Sequence, residues 1–276
     1  MHKKMTIGII GASGMLGYGV SAYFDKQDIS VVRITHSEYD IAKEPLKKLE
    51  DILSNNSIDV VANCTGIIKP MIPQTSMEDI LKINAIFPRN LAKLCKNKEI
   101  YCFHITTDCV FNGNKGQYTE DDLYDADDLY GLSKAAGEPT NCMTLRISII
   151  GEEKNRSRSL LEWAISQKGA DVLGFRNHLW NGITTIQFAR AIDRILSTDL
   201  YYEGIFHIFS PDTISKKDLL EIFNNVYNLG LRIKTVDAGQ KIDRTLSSKY
   251  DISSQICKES IADQIKTMKE LFHRDD

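Results

Sequence analysis

The chain has 276 residues, 42% hydrophobic and 26% charged, a balance that supports a packed core and excludes disordered, collagen-like and coiled-coil classes. Lys and Arg total 34 against 37 Asp and Glu, so the net charge of −3 points neither to nucleic acid nor to an anionic membrane surface. The six cysteines form no C-x-x-C pair and have no histidine at zinc spacing, so no metal is expected. No apolar stretch reaches about 18 residues, and the run after Lys3-Lys4 breaks at Gly11, so neither a membrane span nor a leader is expected. A reducing cytoplasm is the expected location.

Apolar runs and helical spacings alternate along the chain. Strands are predicted at Met5–Ile10, Ile29–Ile34, Ile58–Ala62, Ile100–Ile105 and Met143–Ile150. Between them, helices are predicted through Phe24, at Leu46–Leu53, as one long element Met77–Cys95, and at Asp128–Glu138. Later come helices at Leu160–Ser166, Ile186–Leu196, Lys216–Tyr227 and Ser260–Phe272, with strands at Gly204–Phe209 and Leu231–Val236. Such alternation predicts an α/β fold, a doubly wound parallel (Rossmann) sheet, with a smaller C-terminal α/β substrate lobe. The expected division is a dinucleotide-binding domain over 1–150, joined by part of 183–210, and a substrate lobe over 151–276. Ligands of such sheets bind where the strands end.

The first strand runs into Gly11-Ala12-Ser13-Gly14-Met15-Leu16-Gly17 and then a helix. Glycines there allow a tight turn and close approach of a pyrophosphate to the helix N-terminus. The spacing is G-x-x-G-x-x-G rather than G-x-G-x-x-G. Strand two ends Arg33-Ile34-Thr35-His36-Ser37 with no acid before Glu38. An acid there would hold an NAD ribose; Arg33 and His36 could instead meet a 2′-phosphate, so NADP is favoured and NAD stays open. Tyr130 and Lys134 are spaced i, i+4, which puts them on one helix face. An ammonium there is expected to lower the phenol pKa and make it a proton donor at neutral pH. Thr106 and Thr107 end the fourth strand, where a hydroxyl could hold a substrate carbonyl.

Together these residues resemble the extended short-chain dehydrogenases/reductases, and within them the dTDP-4-dehydrorhamnose reductase family of nucleotide-sugar 4-keto reductases. The resemblance also rests on Asp40-Ile41, Asn63-Cys64-Thr65-Gly66, Asn84, Thr107-Asp108-Cys109-Val110-Phe111, Gly113, Gly116, Tyr118-Thr119-Glu120, Gly137-Glu138, Leu145-Arg146, Asn181-Gly182-Ile183-Thr184-Thr185 and Asp243 through Ser248. It implies that Thr107, Tyr130 and Lys134 form the catalytic set. Gly11, Ser13, Gly14, Met15, Leu16, Gly17, Asp40, Ile41, Cys64, Thr65 and Gly66, with Tyr130 and Lys134, would meet the cofactor. The implied reaction is NAD(P)H-dependent reduction of a 4-keto group on a nucleotide-linked deoxysugar, in making a surface polysaccharide or glycoconjugate. Departures are Cys109 where the family has an aromatic, the acidic run Asp125 to Asp128, Ile149, and the segment from Gly174 to Trp180.

For the substrate side, Arg146, Lys154, Arg156, Arg158 and Arg176 are candidates for the diphosphate. Trp180 could stack on a base or sugar or simply pack, and Asn181 could read hydroxyls. Arg244 could anchor the diphosphate or pair with Asp243, and His207 is expected in the core. The expected partner is a nucleotide sugar, and a homodimer is among the expected states. Competing readings are a sugar epimerase or dehydratase, disfavoured by Cys109 after Thr107-Asp108, and a non-catalytic NADP-binding regulatory subunit, disfavoured by the intact Thr107, Tyr130 and Lys134.

Overall fold

Six short segments line up side by side, and the inner four read as apolar runs because both of their faces are hidden under helices. The computed structural model describes residues 4–154 and 159–272. Its main sheet contains β1 (Thr6–Ile10), β2 (Ser30–Ile34), β3 (Val60–Asn63), β4 (Tyr101–Thr107), β5 (Met143–Ile147) and β10 (Gly204–His207). The strand order is β10-β5-β4-β3-β1-β2, and every pairing is parallel. The expected doubly wound sheet is therefore present, and Gly204–His207 extends it beside β5.

Helices cover both faces. α1 (Met15–Phe24) and α7 (Thr185–Ser197) pack on one side with Val20, Phe24, Phe188 and Ile192 buried. On the other side lie α2 (Leu46–Asn55), which buries the i, i+4 pair Leu49 and Leu53, and α4 (Phe87–Asn97), which buries Leu91 and Cys95. Each fully buried leucine contributes about 1.5–3 kcal/mol. Residues 77–97, expected as one helix, are three pieces: α3 (Met77–Leu81), a π-helical turn at Lys82–Ile86, and α4. Pro88 is the reason: it has no N–H for the helical ladder and its ring crowds the carbonyl one turn back, so the backbone widens there. α5 (Leu129–Ala136) is capped by Asp128, whose carboxylate accepts from the Gly131 N–H at 2.8 Å.

The run expected as one strand to Ile150 breaks at Ser148. Ile149–Ile150 (β6) leaves the sheet to pair with β9 (Ile183–Thr184). The remaining elements are α6 (Leu160–Ser166), β7 (Asp171–Phe175), β8 (His178–Trp180), β11 (Ile214–Ser215), α8 (Lys216–Val226), β12 (Arg232–Val236), β13 (Ile242–Asp243), α9 (Ile252–Ile256) and α10 (Ile261–Phe272). α6, α8 and α10 share a second core around Leu161, Leu219, Phe223 and Ile265. β8 pairs with β11 and β13, which brings the start of α8 over the strand ends of the main sheet. Among the described residues, no helix is long and apolar enough to cross a membrane.

Candidate active site

Gly11 turns the chain at φ +80°, and its N–H donates to the Ile34 carbonyl at 2.8 Å, tying the turn to β2. The Gly14 N–H donates back to the Gly11 carbonyl at 3.0 Å. A Cβ on Gly17 would stand 2.3 Å from that same carbonyl oxygen, so only glycine lets α1 sit this close to the turn. Gly14 begins α1 without a side-chain cap, which leaves the leading N–H groups for a ligand.

Beyond the turn is a cleft of about 400 Å³. Gly14, Met15 and Leu16 line one end; Cys64, Thr65 and Gly66 line one wall; Thr107, Tyr130 and Lys134 face the same space. Ser13 faces a second cavity of about 620 Å³ on the other side of the turn, shared with Arg33, Thr35, Lys154 and Phe272. The wall at Gly66 is held by Asn84 in the π-helical turn. Its amide accepts from the Ile67 N–H at 2.8 Å, and donates to the Ile67 carbonyl and the Ser133 hydroxyl, both at 3.0 Å. The widened turn thus fastens the loop at Gly66 and Ile67 to the helix carrying Tyr130 and Lys134.

The Thr107 hydroxyl donates to Asp108 Oδ1 at 3.0 Å and accepts from the Cys109 N–H at 3.1 Å. Burial pushes the Tyr130 phenol well above its ordinary range, with Cys109 adding to this and a hydrogen bond to Thr107 working against it. Burial also pushes Lys134 down to about 8, against the pull of Glu138. The Lys134 ammonium donates to the Ile105 carbonyl at 2.9 Å. The expectation that this ammonium lowers the Tyr130 pKa is therefore corrected: desolvation dominates, and the phenol holds its proton. Burial pushes the Cys109 thiol up to about 12, so it stays a neutral wall of the cleft.

Other predicted residues separate into groups. Arg33 lies at the rim of the second cavity, about half exposed, in an ion pair with Asp25. His36, Asp40 and Ile41 line neither cavity. His36 is 79% exposed, 3.4 Å from Asp40, and Ile41 packs against the core beneath α2 and α4. Burial pulls the Asp40 carboxyl up, but the Ala42 N–H, Lys43 and His36 outweigh it and hold the group below the ordinary carboxylate range.

Trp180 reaches the cleft, buried, with its indole N–H on the Ser148 hydroxyl at 2.8 Å. Asn181 does not offer its amide to a ligand: both ends are bonded to the Leu246 backbone, at 2.7 and 2.9 Å. Arg146 also departs from the expectation. It is 1% exposed and its guanidinium is consumed by Glu138 and His207, the latter at 3.1 Å. A strand residue pointing into the core must bury its charge against a partner, and Glu138 is that partner. Arg176 is forked onto Asp237, both contacts 2.7 Å, and Lys154 lines the second cavity. Arg156 and Arg158 lie outside the described residues. Arg244 donates its Nε to the Phe111 carbonyl at 2.8 Å, and its charge reaches Cys109 and Asp128. Two cleft features were not anticipated: the Asn84 tie and Lys216, which enters from the start of α8.

A turn with no room for a Cβ at Gly11 or Gly17, an uncapped helix start and two cavities flanking it fit an extended dinucleotide. With Tyr130 and Lys134 one helical turn apart in the cleft, the fold and site define an extended short-chain dehydrogenase/reductase. Comparison with known proteins narrows the class. Residues 5–255 match the model of the RmlD substrate binding domain, and the chain belongs to that family. Among relatives, "Probable low-salt glycan biosynthesis reductase Agl14" of Haloferax volcanii is 26% identical over 233 residues, 77% of each chain. The dTDP-4-dehydrorhamnose reductase of Mycolicibacterium smegmatis is 33% identical over 136 residues, 47% of this chain and 39% of that one. The dTDP-4-dehydrorhamnose reductase of Bacillus anthracis strain Ames, solved in complex with NADP, superposes with a TM-score of 0.81 at 17% identity, covering 99% of this chain and 100% of that one.

Proposed function

We propose that this chain is an NAD(P)H-dependent oxidoreductase that reduces the 4-keto group of a nucleotide-linked deoxysugar in glycan biosynthesis. The observation that carries the reading is the convergence of Thr107, Tyr130 and Lys134 on one cleft that begins at the glycine turn. The reductase relatives support the same chemistry. Gly11 through Gly17 and the first N–H groups of α1 would hold the pyrophosphate, Cys64 to Gly66 the middle of the cofactor, and Lys134 its nicotinamide ribose. Bound NAD(P)H supplies the hydride. Thr107 orients the substrate carbonyl with its hydroxyl. Tyr130, kept protonated by burial, delivers its proton to the oxygen as negative charge develops there. Met15, Leu16 and Ile149 give the cleft apolar walls that exclude water from this transfer.

NADP as the preferred cofactor is part of the proposal, supported by Arg33 and Lys154 on the second cavity. A reducing cytoplasm agrees with the six free cysteines. A homodimer is proposed on Met77, Leu81, Ile86 and Leu132, apolar side chains that stay exposed on neighbouring helices. The test is oxidation of NADPH and NADH with a panel of 4-keto-6-deoxy sugar nucleotides. Turnover with at least one is expected. Tight cofactor binding with no turnover on any would replace the reading with that of a non-catalytic NADP-binding subunit.

A further inference from the structure

Lys216 is the first residue of α8, and its position is set by a capping box. The Ser215 hydroxyl accepts from the Asp218 N–H at 3.1 Å, and the Asp218 carboxylate accepts from the Ser215 N–H at 3.0 Å. Pairing of Ser215 with Leu179 fixes the same point from the other side. The side chain crosses into the cleft that holds Thr107, Tyr130 and Lys134. Among the described residues, no hydrogen bond or ion pair holds its ammonium. Asp108 and Cys109 favour its charge from a distance and Arg244 opposes it, while the Asp108 Oδ1 accepts from the Thr107 hydroxyl and no hydrogen bond joins Asp108 to Lys216. Arg244 spends its Nε on the Phe111 carbonyl. Two cations thus converge beside the reacting end of the cleft, and burial weakens the charged form of Lys216. A partly buried ammonium without a partner is costly unless a ligand completes it.

We infer that Lys216 is the substrate-side cation of this cleft, binding an anionic oxygen of the sugar nucleotide. The inference rests on the proposed reductase reading and assigns a specificity residue within it. Two sources could present that oxygen: the diphosphate that every nucleotide sugar carries, or a carboxylate on the sugar itself.

Equilibrium binding separates them. The probes are dTDP-, UDP-, GDP- and CDP-glucose and UDP-glucuronic acid, titrated into the wild type, Lys216→Met, Lys216→Gln and Lys216→Arg. Lys216→Met and Lys216→Gln should weaken binding of whichever probe the wild type takes by about 10- to 100-fold, the loss of one charged hydrogen bond. Lys216→Arg should restore most of it, and NADPH affinity should stay unchanged in all three. Weakening with neutral-sugar probes assigns the oxygen to the diphosphate; weakening confined to UDP-glucuronic acid assigns it to the sugar carboxylate. Wild-type affinity retained in the folded Met and Gln variants overturns the assignment alone. A wild type that binds NADPH but none of the probes overturns the sugar-nucleotide reading, and this inference falls with it.

Discussion

Arg146 and Glu138 form a buried, forked ion pair beneath the cleft, with Nη2 2.8 Å from Oε2 and Nε 3.0 Å from Oε1. Tyr124 donates to the same carboxylate at 2.8 Å, and the guanidinium stacks on the Phe111 and Tyr124 rings. Glu138 lies just past the end of α5, so the pair ties the helix of Tyr130 and Lys134 to β5. Removing one member strands the other charge in the core. Glu138→Gln should cost about 3–5 kcal/mol, read as a lower urea midpoint. Arg146→Met should also destabilise, yet leave substrate KM nearly unchanged at a temperature where the protein is folded. A large rise in KM would restore Arg146 as a substrate ligand.

Tyr130→Phe removes only the hydroxyl proposed as proton donor. Turnover should fall by about 10²–10⁴-fold. NADPH affinity, followed by nicotinamide fluorescence, should stay within about twofold, because on the proposed reading the glycine turn and the start of α1 carry most of the cofactor contacts and the phenol adds one among many. Activity near wild type would assign the proton to another group.

Lys134 sets the alkaline limit. With its pKa pushed down to about 8 in the free protein, the ammonium loses its proton as pH rises through that value. The kcat/KM for reduction should therefore fall above about pH 8. The stability effect has the opposite sign. The unfolded chain binds this proton up to about pH 10.4, so the folded state carries the full burial penalty below pH 8 and loses it as pH rises. Lys134→Met should therefore abolish turnover and, at pH 7, raise the urea midpoint of the ligand-free protein. The gain is on the order of 1–3 kcal/mol, reduced by the lost contact with the Ile105 carbonyl. A lower midpoint at pH 7 would show that this contact outweighs desolvation.

The proposed preference for NADP places Arg33 at the 2′-phosphate. Its ion pair with Asp25 is half exposed and screened by solvent, so the guanidinium is free to swing to a phosphate. Arg33→Ala should weaken NADPH by about tenfold and leave NADH nearly unchanged. Equal losses for both would remove Arg33 from 2′-phosphate recognition.

Gly17→Ala would put a methyl group 2.3 Å from the Gly11 oxygen. The turn must then move away from α1. Dinucleotide binding should be lost, by fluorescence titration, before the fold is lost by circular dichroism.

The parallel sheet was legible because buried strands such as Val60–Asn63 and Met143–Ile147 read as apolar runs with helical spacings between them. The site was legible where backbone demands glycine or a helix puts two side chains on one face. Elsewhere the signal failed for physical reasons. β9, β11 and β13 are two residues each, too short for any periodicity. The π-helical turn was missed, since Met77–Cys95 reads as one continuous helix and Pro88 is compatible with a helix start. Arg146 and Asn181 look like ligands by chemistry, and only their partners, Glu138 and the Leu246 backbone, reveal that they are already used. Lys216 begins a Lys-Lys-Asp run that reads as the solvated start of a helix; β8 and β11 turn it inward.

Tyr18, one turn beyond the glycine bend, stacks on Phe272 with ring centroids 5.0 Å apart. The two rings are far apart in the sequence, and both border the cavity that holds Arg33. A nascent chain still on the ribosome can therefore form the bend long before the wall opposite it exists. A truncated product that keeps the bend but lacks the last turn of α10 should therefore be a poor competitor for the cellular cofactor pool.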